Sequence, residues 1–229
     1  MKIDRSILWL GLNGCLFCGS YFPHDGGLCR KCSESLWQWC SEDELFQQNV
    51  FKLEVASLFE WVPGMQDVLS RLVRALKGES REDLWKFYAE EFWRRYLVSS
   101  KSRRRPPFVF VPSPSRNGER DHAIQLANSI AELTGATVYP CLVRVNQSTE
   151  QKNKSRKQRF GVSFAFAENI TARDFQTETE GKRVIFVDDV LTTGATALSA
   201  WKTMGKPKDF AVWTLVQRSL SCGESRDLL

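Results

Sequence analysis

Residues 184–196 read Val-Ile-Phe-Val-Asp-Asp-Val-Leu-Thr-Thr-Gly-Ala-Thr, so two adjacent carboxylates and a hydroxyl-rich, glycine-containing turn follow an unbroken apolar run. Carboxylates accept hydrogen bonds and vicinal ribose hydroxyls donate them, which assigns Asp188 and Asp189 to a sugar. A turn that opens a helix presents unpaired amides and the positive end of a dipole, the natural partner of a phosphate. Thr192, Thr193, Gly194, Ala195 and Thr196 therefore suit the other end of the same ligand, and a ribose 5-phosphate satisfies both halves. The run at 184–187 has the composition of a parallel strand covered on both faces. Its carboxylates are expected where the chain leaves the sheet's carboxyl edge, the place where ligands bind in open α/β sheets.

Cys15, Cys18, Cys29 and Cys32 form two Cys-x-x-Cys knuckles ten residues apart. Four thiolates at this spacing close a tetrahedral Zn²⁺ site and leave no open position, so a structural metal is expected. About forty residues make too little core to fold unaided, and metal binding worth roughly 10 to 16 kcal/mol is enough to fold such a module. His24 and Cys40 lie nearby as substitute ligands, with a solvated loop histidine the blander reading. Cys141 and Cys222 read as ordinary buried thiols.

A further candidate loop, Pro112-Ser113-Pro114-Ser115-Arg116, follows the apolar run 108–111 and leads through Gly118 and Arg120 into a helical pattern with Ile124, Ala127, Ile130 and Ala131 that ends at Gly135. Ser113 and Ser115 hydroxyls with the Arg116 fork suit a diphosphate. Between Gln151 and Arg159 lie Lys152, Lys154, Arg156 and Lys157 without an acidic residue, the composition of a mobile basic flap.

The elements that must hold these groups follow from periodicity. Residues 50–97 read as helical: Met65, Val68, Leu69, Leu72, Val73 and Leu76 form a stripe after Pro63 and before Gly78. Leu84, Tyr88, Phe92 and Tyr96 form a second stripe. The added aromatics Trp85, Phe87 and Trp93 suit core packing, with nucleobase stacking as the alternative. The basic, proline-punctuated stretch 101–107 marks a boundary. The expected organisation is a zinc-binding module over 1–45, a helical connector over 46–105 and an α/β domain over 106–220.

No apolar stretch approaches the roughly 20 residues that span a bilayer, and residues 1–12 are too short and polar-flanked for a secretory signal. A cytoplasmic location without membrane insertion is expected. The net charge of +5 understates the local field, since Arg94, Arg95, the 101–105 run and the 151–159 segment hold 11 of the 32 lysines and arginines. Polyanions are plausible partners, and solvated loops are the bland alternative.

The 184–196 stretch resembles the signature of type I phosphoribosyltransferases, which bind 5-phosphoribosyl 1-diphosphate (PRPP) with Mg²⁺. The order of motifs along residues 12–218, from the four cysteines through Lys77-Gly78, Val-Pro-Ser-Pro-Ser and the 151–159 segment to the Asp-Asp turn, resembles the ComF family, associated with DNA uptake in natural transformation. That resemblance implies a type I phosphoribosyltransferase-like parallel sheet flanked by helices, a PRPP pocket and a role with incoming single-stranded DNA. Its chemistry would be departure of diphosphate from C1 of the ribose through an oxocarbenium-like state. Mg²⁺ and Arg116 or Arg159 would stabilise the leaving oxygens, so Asp188, Asp189, Arg116 and Arg159 are the expected catalytic residues. Two departures stand out. Glu119-Arg120-Asp121-His122 occupies the place of the family's Arg-Gly-aromatic-Asn-Gln stretch, and Thr192 replaces the Asp base of hypoxanthine-type enzymes. Two further functions stay open: an active phosphoribosyltransferase of nucleotide metabolism, and a zinc-module adaptor for a DNA-translocating helicase.

Overall fold

The computed structural model describes residues 14–21, 24–38, 40, 44–62, 67–78, 82–99, 106–115, 122–145 and 163–218. The fold is α/β. Strands β1 (Phe46–Val50), β2 (Leu53–Trp61), β3 (Phe108–Pro112), β4 (Thr137–Val138), β7 (Arg183–Leu191) and β8 (Phe210–Arg218) form a six-stranded sheet in the order β1-β2-β8-β7-β3-β4. Only β1 is antiparallel to its neighbour; the other pairings are parallel. A small antiparallel pair, β5 (Leu142–Arg144) and β6 (Phe164–Phe166), stands apart from the sheet.

Alternation along the central strands divides the interior into two layers. Ile185, Val187, Phe108, Phe110, Ala211 and Trp213 face one side. They pack there against α1 (Arg30–Trp37), α2 (Asp67–Gly78), α3 (Glu82–Ser99) and α4 (His122–Thr134). Val184, Phe186, Val109, Val111, Phe210 and Val212 face the other side, with α5 (Ala172–Thr179) and α6 (Ala195–Thr203). A strand covered on both faces has no polar side, which is why residues 184–187 and 108–111 are continuously apolar.

The stripe Leu69, Leu72 and Leu76 is buried on α2, and Leu84, Tyr88, Phe92 and Tyr96 are buried on α3. Trp85 is core, and Trp93 packs between Tyr96, Phe108 and Trp213, so these aromatics are interior packing. Residues 50–61 correct the helical expectation. Val50 ends β1, Phe51 and Lys52 turn with φ of 51° and 66°, and β2 runs from Leu53 parallel to β8. The ladder to β8 is a long-range pairing that no local pattern announces. On α4 the buried face is Ala123, Leu126, Ala127 and Ile130, with Ile124 only half-buried, a rotation of the expected stripe. Among the described residues no helix is long and apolar enough to cross a membrane.

One irregularity runs across the sheet. Leu58 and Phe59 in β2, and Leu215 and Val216 in β8, are sequence neighbours yet join the same hydrophobic layer. The ladders skip that level, pairing Ser57 with Thr214 and then Phe59 with Val216, and Asp188 with Thr214 and then Val190 with Val216. Alternation thus slips by one residue at a common level in three adjacent strands, and Asp189 is the β7 residue at the slip.

Candidate functional site

The order of strands reverses between β3 and β7. From β3 the chain passes through α4 to β4 on one side, and from β7 it passes through α6 to β8 on the other. Since α4 lies on one face and α6 on the opposite face, a crevice opens outside the carboxyl ends of β3 and β7. The Ser-rich loop and the Asp-Asp turn both start there.

β3 ends first. Pro112 pairs with Val187, and the Ser113 amide donates to the Val187 carbonyl at 2.8 Å. Beyond this point β7 continues to Leu191 against β8 alone. The carboxylates therefore lie in the part of β7 that runs past the end of β3, at the carboxyl edge of the sheet. Their side chains replace the missing ladder: Asp188 Oδ1 accepts from the Asp189 amide at 3.0 Å, and Asp189 Oδ1 accepts from the Val190 amide at 2.7 Å.

The two carboxylates face different partners. Asp189 Oδ2 lies 2.8 Å from Lys77 Nζ in the last turn of α2. Asp188 shares the parity of Val184 and Phe186 and is 9% exposed. Burial pushes its carboxyl well above the ordinary carboxylate range, and the neighbouring Asp189 charge adds to this, against lowering by the Asp189 amide and by Arg144. Arg144 donates from Nε to the Pro114 carbonyl at 2.7 Å and lies over the Phe164 ring, so it links the Ser-rich loop to the Asp188 side of the crevice. Lys77 enters the sequence reading only through the Lys77-Gly78 step of the motif order, with no role assigned, and Arg144 carries no functional signal in the sequence. The first is one more basic residue at a helix end, and the second belongs to a three-residue strand.

Ser113 lies one residue past the Pro112–Val187 pair, beside Asp188. It is 3% exposed and its Oγ has no hydrogen-bond partner. A buried hydroxyl at a sheet edge that bonds to nothing in the protein is suited to a ligand oxygen. Ser115 is half-buried, while Arg116 and Arg159 lie outside the described residues. The basic segment 151–159 also lies outside them. The strands on either side of it are joined, Arg144 to Phe164 in register and the Val145 amide to the Ser163 carbonyl at 2.9 Å.

The turn after β7 leaves Thr192, Thr193 and Ala195 exposed and Thr196 half-buried. Gly194 is the N-cap of α6 with φ of 75°, and the preceding Thr193 hydroxyl accepts from the Ala195 amide at 3.4 Å. A Cβ on Gly194 would lie 2.6 Å from Val50 Cγ1, so glycine is required both by backbone conformation and by close packing. The start of α6 is thereby fixed by a turn clamped against β1, and a helix N-terminus held in this way suits an anion.

Behind Asp189, between α2 and the carboxyl ends of β2, β7 and β8, lies a cavity of about 320 Å³ whose walls include Trp61, Leu69, Val73, Val190 and Val216.

The second centre is the cysteine cluster. The four sulfurs of Cys15, Cys18, Cys29 and Cys32 lie within 4.8 Å of one another, and Cys18 and Cys29 Sγ are 3.6 Å apart. With metal–sulfur bonds near 2.3 Å, tetrahedral geometry requires sulfur separations of about 3.8 Å, so the cluster fits a metal such as zinc. Burial raises the Cys15 thiol, but amides of Cys18, Cys29 and Phe17 outweigh this and bring it down to about 6, a thiolate ready for a cation. Burial and the neighbouring sulfurs of Cys29, Cys18 and Cys15 push Cys32 up instead; without a metal the cluster does not hold four negative charges. Neither substitute ligand joins. His24 pairs with Asp25 at 2.6 Å in solvent, and the Cys40 thiol donates to the Leu58 carbonyl at 3.2 Å.

The knuckles are built into the main core. Cys15, Leu28, Cys32 and Leu36 share one hydrophobic layer with Phe59, Leu84 and Tyr88, and the Tyr88 hydroxyl donates to the Gly26 carbonyl at 3.0 Å. Arg95, counted above with the basic surface, is 5% exposed, with its guanidinium over Trp37 and 3.8 Å from Glu91. Arg94 pairs with the same Glu91 at 3.0 Å. These two charges are engaged within the protein and do not form an open patch.

Compared with known proteins, the chain matches no family model and no curated protein, so its site is read from its own residues and geometry.

Proposed function

We propose that this chain is a ComF-like competence accessory protein on a type I phosphoribosyltransferase scaffold. Its β3–β7 crevice would bind PRPP or a related ribose phosphate with Mg²⁺. The observation that carries this reading is the strand-order reversal that brings the Ser-rich loop, the Asp-Asp pair and the start of α6 to one crevice. The α6 amides and the 192–196 hydroxyls take the 5-phosphate. Asp188 accepts from a ribose hydroxyl, and Asp189 is held ready by Lys77. Ser113 Oγ, Ser115 and Arg116 take the diphosphate, whose charge Mg²⁺ offsets. Arg159 of the basic segment is assigned, with Arg116, to the leaving oxygens.

The role with single-stranded DNA in transformation rests on the motif order and on the basic segment 151–159. DNA binding should weaken steeply with salt, because phosphate contacts release counterions. A salt-insensitive response to single-stranded oligonucleotides would remove the DNA half of the proposal. The deciding experiment for the pocket is calorimetric titration of PRPP and Mg²⁺ into the full chain and into an Asp188→Ala, Asp189→Ala variant of retained fold. Micromolar binding lost in the variant supports the site, and no binding by the wild type overturns it.

An active phosphoribosyltransferase is the second reading, favoured by the cavity beside Asp189. PRPP-dependent diphosphate release with a panel of acceptors would decide it.

A further inference from the structure

We propose that the cavity behind Asp189 is a binding site for a second ligand, a planar aromatic or heteroaromatic carboxylate. The inference deepens the ribose-phosphate reading and rests on it for the identity of the neighbouring ligand, but the cavity's own chemistry stands apart from that reading.

The cavity lies at the carboxyl ends of three parallel strands, bounded by Trp61 of β2, Val190 of β7 and Val216 of β8, with α2 as its lid. The slip in alternation creates it. Val190 and Val216 turn toward the α2 layer when regular alternation would have sent them to the other face. At about 320 Å³ it is at the small end of the range for ligand pockets, enough for one ring with a substituent. Trp61, Leu69, Val73, Val190 and Val216 give it apolar walls, with the Trp61 ring as the aromatic one.

The charged groups on its wall are of one sign. Among the described residues Arg74 and Lys77 only donate hydrogen bonds, and Ser70 supplies one hydroxyl. Among the described residues no carboxylate pairs with the exposed Arg74. Asp189, which precedes the wall residue Val190, is already bound by Lys77. A ring rich in amino groups would bring donors with only one hydroxyl to accept them. A ring bearing a carboxylate supplies acceptors for the guanidinium fork, which recognises such groups in bidentate fashion.

Lys77 is common to both sites. It lines the cavity and clamps Asp189, so occupancy of the cavity and of the crevice is linked through one ion pair.

The test is calorimetric titration of matched acid and amide probes, nicotinate against nicotinamide and benzoate against benzamide, into the full chain and into Arg74→Gln. Arg74 is exposed, so its replacement leaves the fold intact. Each acid should bind at least tenfold more tightly than its amide, and Arg74→Gln should reduce that ratio to near one. Absence of binding by both acids, equal affinity for acid and amide, or a preference that survives Arg74→Gln would overturn the proposal. PRPP with Mg²⁺ is titrated into the same samples. Acid preference without PRPP binding would support the cavity's assignment and overturn the ribose-phosphate reading. PRPP binding without acid preference would overturn the cavity's assignment alone.

Discussion

Asp188 shows how one side chain carries both a functional preference and a cost to the fold. Its carboxyl is buried beside a second carboxylate, with only the Asp189 amide and Arg144 to favour the charged form, and its pKa is raised to about 8. The unfolded chain releases this proton near pH 4, whereas the folded protein keeps it, so between those values the native state binds more protons. Stability contributed by this group is therefore lost as pH rises from about 4 through about 8. Asp188→Asn removes the titration. The melting temperature of the variant should exceed that of the wild type near pH 8 by at least about 2 °C and converge with it at about pH 4. Thermal melts across that window, without ligand, would show it; a variant equally destabilised at both ends would rule out a raised Asp188. Lys77→Met acts on the other carboxylate. Freed from its clamp, Asp189 loses its fixed orientation, and PRPP affinity should fall about tenfold with little change in melting temperature. Titration calorimetry alongside thermal melts separates the two effects.

At the scale of elements, the turn that opens α6 is shaped as much by a distant hairpin as by its own residues. Gly194 has positive φ and would meet Val50 Cγ1 if it carried a Cβ. Gly194→Ala should cost about 2 to 4 kcal/mol, combining left-handed strain with overpacking, and should abolish PRPP binding. Val50→Ala removes the opposing methyl, so the double variant should recover part of the stability lost, and denaturant titrations of the cycle measure that coupling. The same contrast explains what could be read from residue order. The Asp188–Thr196 turn was legible because its groups are covalent neighbours, and the α2 stripe was legible because a 3.6-residue period is local. Strand β2 was not, since it owes its conformation to a ladder with β8 that closes more than a hundred residues later in the chain. Lys77 and Arg144 reach the carboxylate region only through tertiary packing, so nothing in their neighbourhoods along the chain ties them to the carboxylates. The slip in alternation that opens the cavity is invisible for the same reason: it exists only when three strands lie side by side.

At the scale of the whole molecule, the cysteine knuckles are where metal chemistry and the main core meet. The spacing of the cysteines announces a metal site, but it does not announce that Cys15 and Cys32 lie in the same apolar layer as Phe59, Tyr88 and Trp213. Gly26 makes the contact close: a Cβ there would come within 2.7 Å of the Phe87 ring and of the Tyr88 hydroxyl, and its φ is +60°. Metal bound to the knuckles should therefore stabilise the sheet and helices along with its own loops, because folding free energy gained at the cluster is shared through continuous packing. Scanning calorimetry with and without a zinc chelator tests this directly. One cooperative transition that moves down as a unit when the metal is stripped is the expected result, and Gly26→Ala should move the metal-loaded protein in the same direction by prising the knuckles from α3. Loss of a separate minor transition with the main one unmoved would mean that the knuckles fold independently of the sheet. The distinction bears on function, because a metal site cooperative with the core transmits its occupancy to α2 and α3, and α2 carries the lysine that holds Asp189.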